Sequence, residues 1–548
     1  MRPFSIVHRA DDVADATGDV LDLLVVGAGA TGAGIALDAA SRGRRGAVVD
    51  KGDLASGTSS KSSKLIHGGL RYLENFELGL VHESVVERQL LQRLAPHLVR
   101  PMDFVFPVLP DSARKRLIGV GLTTYDVFAG IRNTRRHERV TGEQAIELAP
   151  ALARSGVVKA YLYGDCATDD ARLVLAVARA ARRFGAVVLT YTEATGLLFA
   201  GDRVCGAIVH DGLTGETYDI RARHVVNATG VWVDRLRQLE DESQPVTVQP
   251  SKGVHLVVPV DRVPLLHASV VLPSQQGDGR TMFAIPWGRQ TILGTTDTRY
   301  DGPLDAPSVV QADVDYCLAA ANAIFDSGLT EDDVVGAWAG MRPLLKPAEG
   351  DGTTADMSRR HALTEGAGGM VTITGGKLTT FRRMAKDVVD LIVGRDGLRA
   401  RCRTDEIPLG SSGPYARQVA DVSAAGAALD VDDETAELLV RQYGDAAPDV
   451  LGLAAELDLR ARLSPAAAHI AAEVVYAARH EGAATLEDVY SRRTRLSLRA
   501  VDAALPTAPL AARLLAAELG KDGAWVASQL SAYADGVRRE RGVLGLAG

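Results

Sequence analysis

The chain has 548 residues, of which 46% are hydrophobic, and a net charge of −8. That length buries a large core and divides into two or three domains, and the acidic balance argues against a general nucleic-acid binder. The four cysteines, Cys166, Cys205, Cys317 and Cys402, form no CxxC pair and no zinc or cluster spacing, so they read as reduced, inert thiols and no metal site is expected.

Residues 1–20 form a polar, acidic segment with no apolar h-region, and no apolar run approaches the roughly 18 residues that span a bilayer. A cytoplasmic location is expected. The stretch Asp22 to Gly43 then joins a buried strand to a helix through a glycine turn. Gly27 would make the tight turn, Gly29 would let a pyrophosphate approach the backbone, and Gly32 would let the helix pack closely on the sheet. The helix N-terminus offers unpaired amides and a positive dipole end to the phosphates. A second apolar run, Gly46-Ala-Val-Val-Asp50, ends in an acid roughly 20 residues after the turn, where a ribose hydroxyl would be held. A lone glycine motif is weak. Strand, turn, helix, strand and acid together read as a dinucleotide site, with NAD and FAD both open at this point.

A small, hydroxyl-rich stretch follows from Leu54, with Thr58, Ser59, Ser62, Lys64 and Leu65 as candidate cofactor contacts, and helical spacing runs from about Leu80 to Leu94. A flexible linker would not carry the apolar and aromatic residues that come next. Val157 to Phe184 reads as strand, turn and helix, and Ala186 to Tyr191 as another parallel strand. Val204 to Val209 and Thr217 to Ile220 make a hairpin pair, and the buried strand Arg223 to Asn227 ends in a small-residue turn at Thr229 and Gly230, a second close approach to the cofactor. By analogy with flavoproteins that re-enter the first sheet late, this favours FAD over NAD. Val246 to Asp301 reads as a substrate-domain sheet. Met370 to Ala385 then returns to strand, glycine turn and helix, with Gly376, Leu378 and Thr379 at the turn and a helix N-terminus suited to anionic reduced flavin. From Thr404 to about Arg541, Ala, Leu, Arg and Glu at helical spacing dominate. The expected organisation is α/β: residues 21–400 as a Rossmann-like FAD-binding domain with an interleaved β-rich substrate domain, and 401–548 as an α-helical C-terminal domain.

These residues carry a family resemblance. Val26 to Asp38 with Arg42-Gly43, Ser62 to Leu73, Gly294-Thr-Thr-Asp297, Ala339 to Leu344 and Gly375 to Arg382 are together similar to the FAD-dependent, respiratory glycerol-3-phosphate dehydrogenases. Ala28, Asp50 and Phe381 depart from the usual Gly, Glu and Tyr, and none removes a group that the chemistry needs. No DxDxDG loop occurs in the tail, so neither the calcium-binding extension of mitochondrial relatives nor the cysteine-rich end of anaerobic ones is expected.

The resemblance implies oxidation of sn-glycerol 3-phosphate to dihydroxyacetone phosphate, with hydride passing to flavin N5 and electrons to a membrane quinone. It assigns His255 as the base and Arg342 as the cation beside the developing alkoxide. From the residues alone, His255 would read as a sheet histidine, and His67 is its rival. Arg71, Tyr72, Thr295, Arg359 and Lys377 form the implied phosphate cup. Arg360 competes with Arg359 for register, and Lys377 serves the flavin as an alternative. An oxygen-using oxidase and a non-catalytic flavin sensor are the competing functions. The oligomeric state stays open, a homodimer included. The segment Asp111 to Phe128 pairs basic Arg114, Lys115 and Arg116 with apolar Leu117, Ile118, Val120, Leu122, Tyr125, Val127 and Phe128, and is expected to contact the inner face of the cell membrane.

Overall fold

The computed structural model describes residues 2–69, 77–109, 119, 121–126, 130, 134–273, 280–346, 360–499 and 501–544. Two large sheets organise them. In the first, the strand Leu21–Val26 lies between Gly46–Val49 and Thr217–Asn227, parallel to both, with Val26 opposite Val49 and Asn227. Val187–Leu189 extends the sheet on one side and Val371–Gly375 on the other. The strand Thr217–Asn227 has two roles: its first half pairs antiparallel with Arg203–Asp211 and its second half runs parallel to Leu21–Val26.

The helix Ala30–Ser41 is buried on every side except at Thr31 and Arg42, its C-cap, where exposure is partial. Its small residues explain how. A Cβ at Gly34 would stand 3.0 Å from the Phe381 ring and 3.1 Å from Ala385, so the helix Phe381–Arg395 packs directly on its backbone. A helix enclosed by sheet and helices needs an apolar surface all round.

The second sheet centres on Val248–Pro259, buried along almost its whole length and paired with Gln290–Gly294 and Gly336–Leu345. Thr281–Trp287, Ala268–Pro273, Arg100–Val108, Lys159–Ala167 and Leu65–Ile66 continue it. The strand that sequence patterning finds near Val157 therefore belongs to this second sheet, and the helix Asp170–Arg183 after it crosses back to the first, packing on Ala30–Ser41.

The polar N-terminal segment carries regular structure within residues 2–20. The helix Arg9–Thr17 is fastened to the first sheet by Arg9, whose guanidinium donates to Asp211 at 2.6 Å and to the Thr190 carbonyl at 2.8 Å. The C-terminal region is helical, from Tyr415–Ala427 to Gly523–Arg541, interrupted by a short hairpin, Arg462–Ser464 with Ala467–Ile470. Among the described residues, no helix is long and apolar enough to cross a membrane.

Of the segment expected at the membrane, Arg114, Lys115 and Arg116 lie outside the described residues. Leu122 and Tyr125 are described, and both are fully buried. Leu122 packs with Phe104, Tyr163 and Trp338, and the Tyr125 hydroxyl accepts from Arg88 at 2.8 Å. These two side chains belong to the protein's own core, which corrects their assignment to a lipid-facing side.

Candidate functional site

One cavity of about 630 Å³ runs from the glycine turn of the first sheet to the central strand of the second. Its size falls in the usual range for a cofactor or ligand site.

At the first end, Gly27 takes φ +105°, and a Cβ there would come within 2.6 Å of the Ala228 carbonyl oxygen. A Cβ on Gly32 would stand 1.7 Å from the Gly27 carbonyl oxygen. Only glycine fits either position. Gly29 lines the cavity, and Ser59 Oγ accepts the neighbouring Ala30 amide at 2.9 Å, capping the helix start. Asp50 receives the Ala28 amide at 2.6 Å and the Gly52 amide at 2.9 Å. Burial pushes its carboxyl up to about 6 against those two donors. Thr58 lines the wall and donates to the Met341 carbonyl at 2.6 Å, joining the loop to the second sheet. Thr229 and Gly230 form the second turn, held by Asn227, whose side chain accepts the Thr229 hydroxyl at 2.7 Å and donates to the Val233 carbonyl at 2.8 Å. Ser62, Leu65, Gly376, Leu378 and Thr379 also line the cavity.

Lys64 does not. It is 2% exposed, and its ammonium donates to Asp170 at 3.0 Å and sits 4.6 Å over the Trp338 ring. Burial, then Arg495, draws it down to about 8. Its expected cofactor contact is replaced by a place in the supporting structure. Sequence reasoning missed Trp232, which lines the cavity with Lys51 4.3 Å over its ring and an indole N–H that has no hydrogen-bond partner among the described residues. A bound acceptor would satisfy that donor.

At the second end, His255 sits in the central strand opposite Gly294 and Trp338. Its ring stacks on Trp338 at 4.9 Å and 17°. A Cβ on Gly294 would approach His255 Cδ2 to 2.3 Å, so the missing side chain makes room for the imidazole. Nε2 shares a 2.8 Å hydrogen bond with Ser63 Oγ, while Nδ1 has no partner among the described residues. Burial, then Arg342 and Lys64, holds the imidazole well below its usual 6.5, so it is neutral.

Arg342 lines the same wall. It donates to the Thr296 carbonyl and to Thr295 Oγ1, both at 3.2 Å, and meets Asp297 at 3.4 Å. Thr295, expected in a phosphate cup, is not a lining residue and braces the guanidinium instead. Gly253 lies against this pair: a Cβ there would be 2.7 Å from both Arg342 Nη2 and Thr295 Oγ1. Lys377 lines the cavity and donates to Ser84 Oγ at 3.3 Å. His67, the rival base, also lines it, with its amide donating to Thr379 Oγ1 at 3.2 Å. Arg71, Tyr72 and Arg359 lie outside the described residues, and Arg360 is exposed and not among the lining residues. Ser63 escaped notice because it sits in a run of hydroxyl residues with nothing to single it out.

The glycine cradle, the acid at the second strand and the orphaned indole donor fit a dinucleotide at one end. A neutral imidazole beside a fixed guanidinium fits removal of a proton from a hydroxyl at the other.

A family model described as "FAD dependent oxidoreductase" matches residues 22–382, and one described as "C-terminal domain of alpha-glycerophosphate oxidase" matches 402–525. The chain is 41% identical to glycerol-3-phosphate dehydrogenase 2 of Mycobacterium tuberculosis H37Rv, over 90% of this chain and 85% of that protein. It is 34% identical to the aerobic glycerol-3-phosphate dehydrogenase of Bacillus subtilis 168, over 90% of each. The structure is similar to that of the glycerol-3-phosphate dehydrogenase from Bacillus halodurans complexed with FAD, with a TM-score of 0.82, 30% identity and 100% of both chains covered.

Proposed function

The chain belongs to the FAD-dependent glycerol-3-phosphate dehydrogenases, and from that premise we propose how its cavity oxidises sn-glycerol 3-phosphate to dihydroxyacetone phosphate. The observation that carries the reading is that one cavity joins the Gly27, Gly29 and Asp50 end to His255 and Arg342.

FAD, when bound, supplies the acceptor for the hydride leaving C2. His255 takes the C2 hydroxyl proton at Nε2: its depressed pKa keeps the imidazole neutral, and in the tautomer that carries its proton on Nδ1, Nε2 is free to accept. Ser63 holds Nε2 in place until the substrate hydroxyl arrives. Arg342, anchored on three sides, stabilises the alkoxide character that grows as the proton leaves, without having to reorganise. Lys377 provides positive charge for the phosphate, with Arg71, Tyr72 and Arg359 as the further members of the cup proposed from the family resemblance.

We propose a membrane quinone as the next electron acceptor, reached by peripheral contact on the inner face of the cell membrane. The first part follows the resemblance to the respiratory family, with relatives named dehydrogenases, and the basic cluster Arg114, Lys115 and Arg116 supports the second. A soluble quinone analogue should sustain turnover with glycerol 3-phosphate, while oxygen uptake without quinone stays near background. Rapid oxygen uptake with peroxide formation would make the chain an oxidase instead. Changing Arg114, Lys115 and Arg116 together to Glu should release the protein from anionic vesicles at low salt; sedimentation equal to the parent's would remove this segment as the contact.

A further inference from the structure

Among the described residues, none beyond Met384 lines the cavity. The C-terminal region nevertheless reaches back onto the loop that walls its cofactor end, through Glu540, which pairs with Lys61, and more extensively through the segment Asp488 to Arg495. Arg492 Nε donates to Asp53 Oδ2 at 2.6 Å, and Arg493 Nη2 donates to Asp53 Oδ1 at 2.9 Å. Arg495 pairs with Asp170 and donates to the Ser60 carbonyl at 3.0 Å. Asp170 in turn accepts the Ser62 amide at 3.0 Å and the Ser62 hydroxyl at 2.7 Å.

The loop is thus pinned at Asp53 and again at Ser60 to Ser62. Between these points lie Ser56, Gly57, Thr58 and Ser59, all on the cavity wall. Its backbone includes Ala55 at φ +59° and is followed by Lys64 at φ +57°, conformations that residues with a side chain rarely keep without outside support. Asp53 and Asp170 are 1% and 0% exposed, and Arg493 and Arg495 are 1% and 0% exposed. Burial would raise the Asp53 carboxyl, but the Arg493 and Arg492 guanidinia outweigh it and hold it below the usual range. Buried ion pairs stabilise a fold weakly because desolvation offsets their attraction, yet an unpaired buried charge is costly, so such pairs specify one geometry.

We propose that Arg492, Arg493 and Arg495 are positioning residues that clamp the loop 53–62, so that the C-terminal region sets FAD affinity without touching the cavity. The proposal rests on FAD occupying this end. A loop already held in its bound shape pays less ordering entropy when the ligand arrives.

The test compares the full-length parent with Arg493→Met and with Asp53→Asn/Arg493→Met. The double variant removes a charge from each side, while Arg492 keeps Asp488 as a partner. Deflavinated protein is titrated with FAD and followed by flavin fluorescence. The thermal midpoint of the apoprotein and the KM for glycerol 3-phosphate at saturating FAD are measured alongside. Arg493→Met should weaken FAD binding on the order of tenfold. The double variant should recover the parent's thermal midpoint and keep the weakened FAD binding, with KM unchanged. If Arg493→Met does not fold, the double variant alone carries the comparison. FAD binding within twofold of the parent in the double variant, or binding that recovers together with the thermal midpoint, would overturn the clamp. A parent that takes up no FAD would overturn the cofactor reading beneath it and the clamp with it.

Discussion

The two ends of the cavity are built from different materials. The cofactor end is mostly backbone: Gly27 and Gly32 clear space, amides of Ala28 and Gly52 hold Asp50, and the Ala30 amide is capped by Ser59. The substrate end is mostly side chain: His255 and Arg342 stand on adjacent extended strands, and burial, Arg342 and Lys64 hold the His255 imidazole below its usual range. A backbone site fails when anything is added to it. A side-chain site fails when one functional group is removed. Cofactor retention and turnover should therefore be separable by mutation.

Gly32→Ala should break the first end most severely. Its Cβ would stand 1.7 Å from the Gly27 carbonyl oxygen, and the turn must shift to admit it. Such overpacking costs about 1–3 kcal/mol in stability, and the purified variant should lose most of its 450 nm absorbance. Full yellow colour and normal turnover would erase the distinction between the two ends.

His255→Asn should do the reverse, keeping FAD while lowering kcat by about 100-fold or more, in the range for a general base. If turnover stayed near normal, His67, on the same cavity wall, would be the next base to test. Arg342→Met should cost about 100-fold in kcat and also change the pH profile. In the parent, His255 lies well below 6.5, so it remains neutral as pH falls through 6.5 and gives kcat/KM no acid limb there. Removing the Arg342 charge removes one of the influences that lower it, so the acid limb should move up toward 6.5. An unmoved limb would separate the guanidinium from the imidazole.

Lys377→Met should raise KM for glycerol 3-phosphate roughly tenfold or more, with a smaller change in kcat, the loss expected for a charge-assisted contact felt in ground and transition states alike. Ser63→Ala is the gentlest change. It removes one hydrogen bond to Nε2, worth about 1 kcal/mol, and should lower kcat about fivefold without altering FAD content.

The same contrast governs what the amino-acid sequence discloses. A backbone site leaves a local signature, because glycines must fall at fixed intervals and the acid must end the next strand. Gly27, Gly29, Gly32 and Asp50 are legible for that reason, and so is the late strand that returns beside the first. The side-chain end leaves none: His255 in an apolar strand reads as any sheet histidine, and only the wider set of matching stretches singles it out. Lys64 was misplaced because a lysine among hydroxyl residues reads the same whether it faces a phosphate or a buried aspartate. Leu122 and Tyr125 show a similar ambiguity, since an apolar helix face can meet lipid or the protein's own core equally well. Arg492 and Arg493 were beyond reach, lying 439 and 440 positions from the carboxylate they hold.

Anaerobic mixing of the FAD-loaded enzyme with glycerol 3-phosphate tests the joined cavity most directly. The account predicts rapid bleaching near 450 nm in the parent, no comparable bleaching by glycerol, and bleaching slowed by about two orders of magnitude in His255→Asn. Bleaching of the parent by glycerol as fast as by glycerol 3-phosphate, or unchanged bleaching in His255→Asn, would contradict it.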